Sequence, residues 1–422
     1  MHSCSLRVAA AIALALAAWQ AQAAPLSLLE ALRLAEQRSR QLPAQDAAAE
    51  AARQMAVAAG QRPDPVLKAG INNLPINGAD RFSLTGDFMT MRSIGVMQEW
   101  TRADKLRTRS ARFEREAEAA QAQRQLALAN LQRDTALAWL ERYYQERMRE
   151  LLLQQRSEAT LPVQAAEVAY RGGRGTQADV FAARSAAAQI DDRLAAAERE
   201  LASAKTMLAR WTGAVADDAL GAPPALDALH LRDETLDAEV AHHPQIAAML
   251  KQEAAAQAEA DGARANAQPD VSVELMVSQR GPAYSNMVSV NVALPLPWDR
   301  TNRQDRELAA KLALVEQMRA QREEEERAHL AQVRSMLQQW HGQRERLHRY
   351  DDQLLPLAAE RTRAALAAYR GGTAPLGAVL DARRGEVDIR MDRLRLEMEA
   401  ARLWALLKYL VPVGHLASED SP

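Results

Sequence analysis

The chain has 422 residues, a net charge of −2, 4% aromatic residues, 18 glycines and 17 prolines. No basic surplus points to nucleic acid, and the excess of Ala, Arg, Gln, Glu and Leu excludes an ordinary mixed α/β globule in favour of long helices. Near-balanced charge at 26% of residues suits extended helices with solvated faces of both signs.

Arg7 precedes an apolar run from Val8 to Trp19, and Ala21-Gln22-Ala23 has the small-x-small form of a cleavage site. Residues 1–23 therefore read as a secretory signal peptide. The run is too short for a transmembrane helix, which needs about 20 residues. The single cysteine, Cys4, lies ahead of the run, so the chain beyond it has no disulfide and no thiolate metal site.

Residues 24–62 read as N-terminal helices. Residues 63–100 drop the helical period: Leu67, Ala69 and Ile71 share one face, and Ile94 and Val96 oppose Ser93 and Gly95, as in a β-hairpin. Met89, Met91 and Met97 in this stretch are expected to face lipid or a neighbouring chain rather than to bind copper or silver. Residues 101–210 read as a long helical hairpin with its tip near 171–176, and 211–237 as an equatorial connector. The helix from Thr101 to Tyr170 runs roughly 70 residues, about 105 Å at 1.5 Å per residue. After the tip, Val180, Ala183, Ala187, Ile190, Leu194, Ala197, Leu201, Ala204, Leu208 and Trp211 alternate in steps of three and four, a coiled-coil seam.

The second half repeats this order. Residues 238–268 read as one helix, and 269–298 as a second β-hairpin. There Val271, Val273, Leu275 and Val277, then Val288, Val290, Val292 and Leu294, alternate with mostly polar or small residues about the turn at Gly281-Pro282. Residues 299–411 read as a second long helical hairpin with its tip near 370–375 and a loosened helix at Pro356, and 412–422 as a tail. Its last helix carries two stripes, one through Val387, Met391, Leu394 and Met398 and one through Leu396, Ala400, Leu403 and Leu407, which implies neighbours on two sides. His242-His243 is not expected to bind a metal, because adjacent helical residues do not face one site.

The duplication is literal in places. Ala169-Tyr170-Arg171-Gly172-Gly173 recurs as Ala368-Tyr369-Arg370-Gly371-Gly372, 199 residues on, and Pro63-Asp64 is echoed by Pro269-Asp270. The strands approach the 9–11 residues that a tilted transmembrane strand requires. With the helices committed to their own seams, lipid is the remaining partner for the aliphatic faces. Backbone groups in a bilayer must all be paired, so the strands must close a barrel. Four strands cannot close alone, eight from two chains enclose only side chains, and twelve from three chains leave a lumen. A rod-like exported structural coiled-coil protein fits the helices but not the strands.

The segments Tyr170 to Arg184 and Tyr369 to Arg383, with tyrosine, paired glycines and a valine-aliphatic-acidic-alanine pattern, resemble the helix turns of the TolC-like outer-membrane efflux factors over essentially the whole chain after residue 23. Gly95-Val96-Met97-Gln98-Glu99-Trp100 with Lys105, and Pro295 to Arg300, are similar to the strand-to-helix joins of the heavy-metal branch. The resemblance implies a mainly α fold with a small β part: long antiparallel helices forming a periplasmic α-barrel, plus four transmembrane β-strands per chain closing as a trimeric twelve-stranded β-barrel. It implies a homotrimer in the outer membrane of a Gram-negative bacterium, with most of the chain in the periplasm. It implies docking to a periplasmic adaptor (membrane fusion) protein and an inner-membrane resistance-nodulation-division pump driven by protons, with heavy-metal cations as leading cargo. Drug or organic-solute efflux, or a type I secretion duct, are the alternatives of the same fold. The pump supplies the energy, so neither catalysis nor a cofactor is expected here. The resemblance places a periplasmic gate at Tyr170, Asp179, Tyr369 and Asp381, where a ring of like charges is expected to raise the carboxyl pKa values. Ala374 and Ala378 depart from the family pattern, standing where a gating arginine and a further aspartate can occur. Arg171, Gly172, Gly173, Arg370, Gly371 and Gly372 form the turn tips expected to meet the adaptor.

Overall fold

The computed structural model describes residues 25–227, 229 and 236–412; the expected signal peptide and nearly all of the expected tail lie outside them. Long helices dominate: α1 (Leu28–Arg38), α2 (Gln41–Ala59), α3 (Ala103–Arg171), α4 (Gln177–Thr212), α5 (Leu236–Ala241), α6 (Pro244–Asn266), α7 (Gln304–Arg349), α8 (Leu355–Arg370) and α9 (Leu376–Lys408). Four strands, β1 (Val66–Asn72), β2 (Met91–Trp100), β3 (Val271–Gln279) and β4 (Met287–Ala293), make the one sheet among the described residues. No described helix is long and apolar enough to cross a membrane.

The chain divides into two compact units. The first takes residues up to Arg40, Ala127–Glu239 and His329 onward. Its helices pack along the expected seams: Met148 and Leu152 of α3, Leu194 and Ala197 of α4, and Val387 and Met391 of α9 form one buried cluster. Both stripes of α9 are used, since Leu396, Ala400 and Leu407 are buried as well as Val387 and Met391. A second cluster joins four helices through Ala166, Val180, Ala183, Leu376 and Val379, with Ala365, Leu366 and Tyr369 against it.

The same unit holds a buried cation that periodicity does not mark. Arg142, 1% exposed, pairs with Glu146 at 2.9 Å, donates to the Asp218 carbonyl at 2.6 Å, and also donates to the Ala216 carbonyl. These carbonyls cap the 3-10 turn Gly213–Asp217 that follows α4. Next to it, Leu26 pairs with the strand-like backbone at Ala219 and Gly221, and its carbonyl accepts from the Trp139 indole at 3.0 Å.

The second unit takes Gln41–Leu126 and Val240–Ala328 and contains the sheet. Its helices are held by ion pairs more than by large side chains: Glu253 with Arg319 and Arg322, Lys311 with Glu259, and Lys251 with Glu118. The expected single helix over 238–268 is interrupted. Pro244 opens α6 because it lacks an N–H and tolerates only the first helical turn, and His243 caps it by accepting from the Gln245 N–H at 3.2 Å.

Proline acts differently at two other sites. Pro162 lies inside α3 without breaking it. The looseness expected at Pro356 takes the form of a π-helical turn over Tyr350–Leu354, immediately before Leu355 and Pro356 open α8. This turn accounts for a shift in the duplication. From the strand-to-helix join up to it the halves align 198 residues apart, as Trp100 with Trp298; after it they align 199 apart, as Tyr170 with Tyr369. The buried positions obey both offsets: Ala117 and Val315, Thr135 and Val333, Trp139 and Leu337 on one side, Val180 and Val379, Ala183 and Ala382 on the other. Arg142 itself aligns with buried Trp340.

Replacing Arg142 with Met keeps the bulk but leaves the buried Ala216 carbonyl and the part-buried Asp218 carbonyl without this donor. An orphaned buried polar group costs about 1–3 kcal/mol, so Arg142→Met should lower the denaturation midpoint without changing helix content by circular dichroism. An unchanged midpoint would remove this role.

Candidate functional site: an apolar sheet face and two helix-turn tips

The sheet is antiparallel throughout in the order β1-β2-β3-β4, and β2 with β3 joins the two halves. Registration assembles rows that cross all four strands. One row is Ala69, Ile94, Val277 and Val288; the next is Leu67, Val96, Leu275 and Val290. The aliphatic side chains of these rows stand in the open: Leu67 is 69% exposed, Ile94 57% and Val290 65%. A contiguous aliphatic face of this kind calls for an apolar partner.

The opposite face is polar or small apart from its methionines. Its rows include Lys68, Gly95, Met276 and Ser289, then Gly70, Ser93 and Ser278. Lys68 reaches Glu274 at 3.2 Å and Asn72 donates to the Ser93 hydroxyl at 2.5 Å. Gly95 is required here, because a Cβ on it would come within 2.7 Å of the Leu275 carbonyl oxygen and 3.0 Å of Met276 Cα. Met91 and Met97 lie on this polar face, half-buried, and not on the aliphatic one. The β2 alternation that turns Ile94 and Val96 outward turns both methionines the other way.

At the other functional element the two turns are built alike. Arg174 N–H bonds the Ala169 carbonyl at 2.9 Å and Gly173 N–H the Tyr170 carbonyl at 3.0 Å; Thr373 to Ala368 and Gly372 to Tyr369 repeat both distances. These are Schellman closures, and each needs a residue in the left-handed region. Gly173 and Gly372 supply it, each with φ of +70°. Arg171, Gly172, Gly173, Arg370, Gly371 and Gly372 are all exposed.

Beyond the glycines the tips differ. Thr176 caps α4 in a capping box: its hydroxyl accepts from the Asp179 N–H at 3.1 Å, and Asp179 Oδ2 accepts from the Thr176 N–H at 3.0 Å and hydroxyl at 2.7 Å. The equivalent positions are Pro375 and Ala378, and α9 starts without a side-chain cap. Arg184 closes the first hairpin onto Glu167 at 2.6 Å, where the second hairpin has Arg383 and Leu366. Arg383 instead donates to the Glu158 carbonyl of α3 at 3.4 Å.

The four expected gate residues therefore divide. Tyr369 packs into the four-helix apolar cluster, whereas Tyr170 is 49% exposed. Asp381 is exposed one turn further along its helix than the position that matches Asp179. The Thr176 hydroxyl and main-chain N–H hold the Asp179 carboxyl below the usual carboxylate range. Within the chain this shift runs opposite to the rise expected from a ring of like charges. The Thr-x-x-Asp spacing of the capping box is legible in sequence; the Arg184–Glu167 bridge is not. Among the described residues no three His, Cys, Asp or Glu gather as metal ligands.

Residues 235–410 match the family model described as outer membrane efflux protein. No curated protein matches the chain. Among solved structures, the outer-membrane channel OprN aligns with a TM-score of 0.76 at 19% identity, over 91% of this chain and 89% of that one. The outer membrane protein VceC from Vibrio cholerae gives 0.74 at 21% identity, over 91% and 95%. CusC, a protein that forms a transmembrane channel, gives 0.73 at 17% identity, over 94% of each. The chain thus has the fold of the outer-membrane channels along nearly its whole length.

A depressed carboxyl pKa stabilises the fold above the unfolded aspartate value, and that stability is lost as pH falls through the folded value. The start of α4 should therefore loosen below about pH 4, seen as faster amide hydrogen exchange over Val180–Ala183 after correction for intrinsic rates. The first turn of α9, capped by Pro375, should show no such change. Thr176→Ala should cost about 1 kcal/mol and speed the same α4 amides at neutral pH; equal rates would refute the cap.

Proposed function

We propose that this chain, a member of the outer membrane efflux protein family through its residues 235–410, is one of three copies that together form the exit duct of a tripartite efflux system. The observation that carries the reading is the sheet: one exposed aliphatic face, one mostly polar face, and two free edges at β1 and β4. In a bilayer an open edge leaves unpaired N–H and C=O groups. Joining β4 of one copy to β1 of the next removes every edge, and twelve strands leave a lumen lined by the polar face.

The helical parts then belong to the periplasm. The two turns carrying Arg171, Gly172 and Gly173, and Arg370, Gly371 and Gly372, are the surface offered to a periplasmic adaptor, which couples the duct to a resistance-nodulation-division pump in the inner membrane. Tyr170, Asp179, Tyr369 and Asp381 form the gate beside those turns. Asp381, exposed and without a capping partner, contributes charge to it, while Asp179 first secures its own helix. The duct is passive and performs no catalysis.

Heavy-metal cations are the proposed cargo. The support is the likeness of the joins at Gly95 to Lys105 and Pro295 to Arg300 to the metal branch of the family. Organic solutes are the alternative, and deletion of the gene separates the two. Loss of metal tolerance with unchanged tolerance of dyes and detergents supports metal export, and the reverse pattern excludes it.

Val290→Arg places a charge in the centre of the aliphatic face, at about 2–4 kcal/mol near a bilayer midplane. Outer-membrane fractionation should show the variant lost from the membrane, and single-channel currents should disappear with it. Gly173→Leu with Gly372→Leu should abolish efflux while heat-resistant trimers still form; normal efflux in that variant would count against docking at the tips.

A further inference from the structure

Where the two halves of the chain meet in the sheet, a charged clasp fastens the strands to the helix that follows. Asp270, just before β3, sits beside the join between β2 and α3. Its Oδ2 accepts from Lys105 Nζ at 2.8 Å and its Oδ1 from the Arg102 N–H at 3.0 Å, and Lys105 is buried there. The clasp spans the β2–β3 pair.

The duplication supplies a second set of the same groups on the outer edges. Pro63-Asp64 before β1 matches Pro269-Asp270 before β3, 206 residues apart. The facing agrees: Leu67, Lys68 and Ile71 fall opposite Val273, Glu274 and Val277 in this alignment, aliphatic on one face and charged on the other. Trp100 and Lys105 match Trp298 and Arg303, 198 residues apart. Within one chain these groups cannot meet as the inner pair does, because β1 and β4 are at opposite edges. Asp64 and Arg303 are both exposed, and neither side chain has an ion pair or hydrogen bond among the described residues. Beside Arg303, Arg300 is already paired with Asp305 at 3.0 Å, and Trp298 is 90% exposed.

We infer that Asp64 of one copy and Arg303 of the partner subunit form the between-chain version of the Asp270–Lys105 clasp, and that it sets the register in which β4 meets β1 of the next copy. This rests on the closed-barrel reading above. The register that follows places Val292 opposite Ile71, as Ile94 stands opposite Val277, so an aliphatic residue meets an aliphatic residue across the seam. A slip of one residue would turn every β1 side chain to the wrong face, and a charged pair at the strand base discriminates against it. Arginine in the second half, where the first has lysine, suits a more exposed site, since its planar fork pairs a carboxylate through two hydrogen bonds.

The test uses the full chain in outer membranes, with Cys4→Ser removing the one native thiol. Asp64→Cys combined with Arg303→Cys, treated with a short dithiol-reactive linker, should give covalent dimers and trimers on denaturing gels, and either single variant only monomers. A lysine-reactive crosslinker on the same samples reports assembly independently. Trimers with that reagent but only monomers from the cysteine pair would overturn the clasp and leave the trimer standing; monomers with both would overturn both. Charge reversal gives a second readout. Asp64→Arg and Arg303→Asp should each lower the temperature at which detergent-solubilised trimers dissociate, and the two together should restore it. Equal temperatures for all four chains would overturn the inference.

Discussion

A β-sheet in lipid cannot keep a free edge, and this one requirement organises the molecule. The sheet has four strands among the described residues, so both of its edges stay open. The exposed aliphatic rows and the two bare edges are deficits of the single chain that the proposed closed assembly removes together. The same face-by-face division shows in the opposite face, where Lys68 pairs with Glu274 and Gly95 lets β3 approach closely.

The helices answer a different demand. Their seams are rich in alanine, which lets backbones approach but buries little area per residue. Compensation comes from repeated use: Ala183 and Ala382, or Leu208 and Leu407, serve the same packing role in the two halves. Ion pairs between neighbouring helices, such as Arg193 with Asp388 at 2.6 Å and Arg393 with Asp351 at 2.6 Å, fasten their solvated sides. At Arg393 the hydrogen bonds that the guanidinium donates to Asp351 hold it charged against the burial that opposes it.

Much of this was legible in sequence because it is periodic or repeated. Period-two alternation over Val288–Val292 gave the outward rows, period 3.5 from Val180 to Trp211 gave the α4 seam, and the recurring Tyr-Arg-Gly-Gly gave both turns. What escaped depends on contacts remote in the chain. Nothing local to Arg142 announces that it is buried against carbonyls some seventy residues away. The interruption at Pro244 was visible as a proline but was outweighed by the helical composition around it. At the candidate gate, the Thr176–Asp179 box was open to sequence reading, whereas the packing of Tyr369 against α3 and α4 needs the four helices together.

The π-helical turn at Tyr350–Leu354 has a consequence for the angular bookkeeping of the second half. One extra residue in an α-helix rotates everything beyond it by about 100°, which would swing the packing face of α8 away from its neighbours. Holding that residue in a wide turn cancels the rotation, so Tyr369 arrives at the tip in phase with Tyr170 even though the two halves differ in length. The turn is therefore a phase corrector: it lets the second half carry one more residue than the first while the helix faces beyond it stay in step.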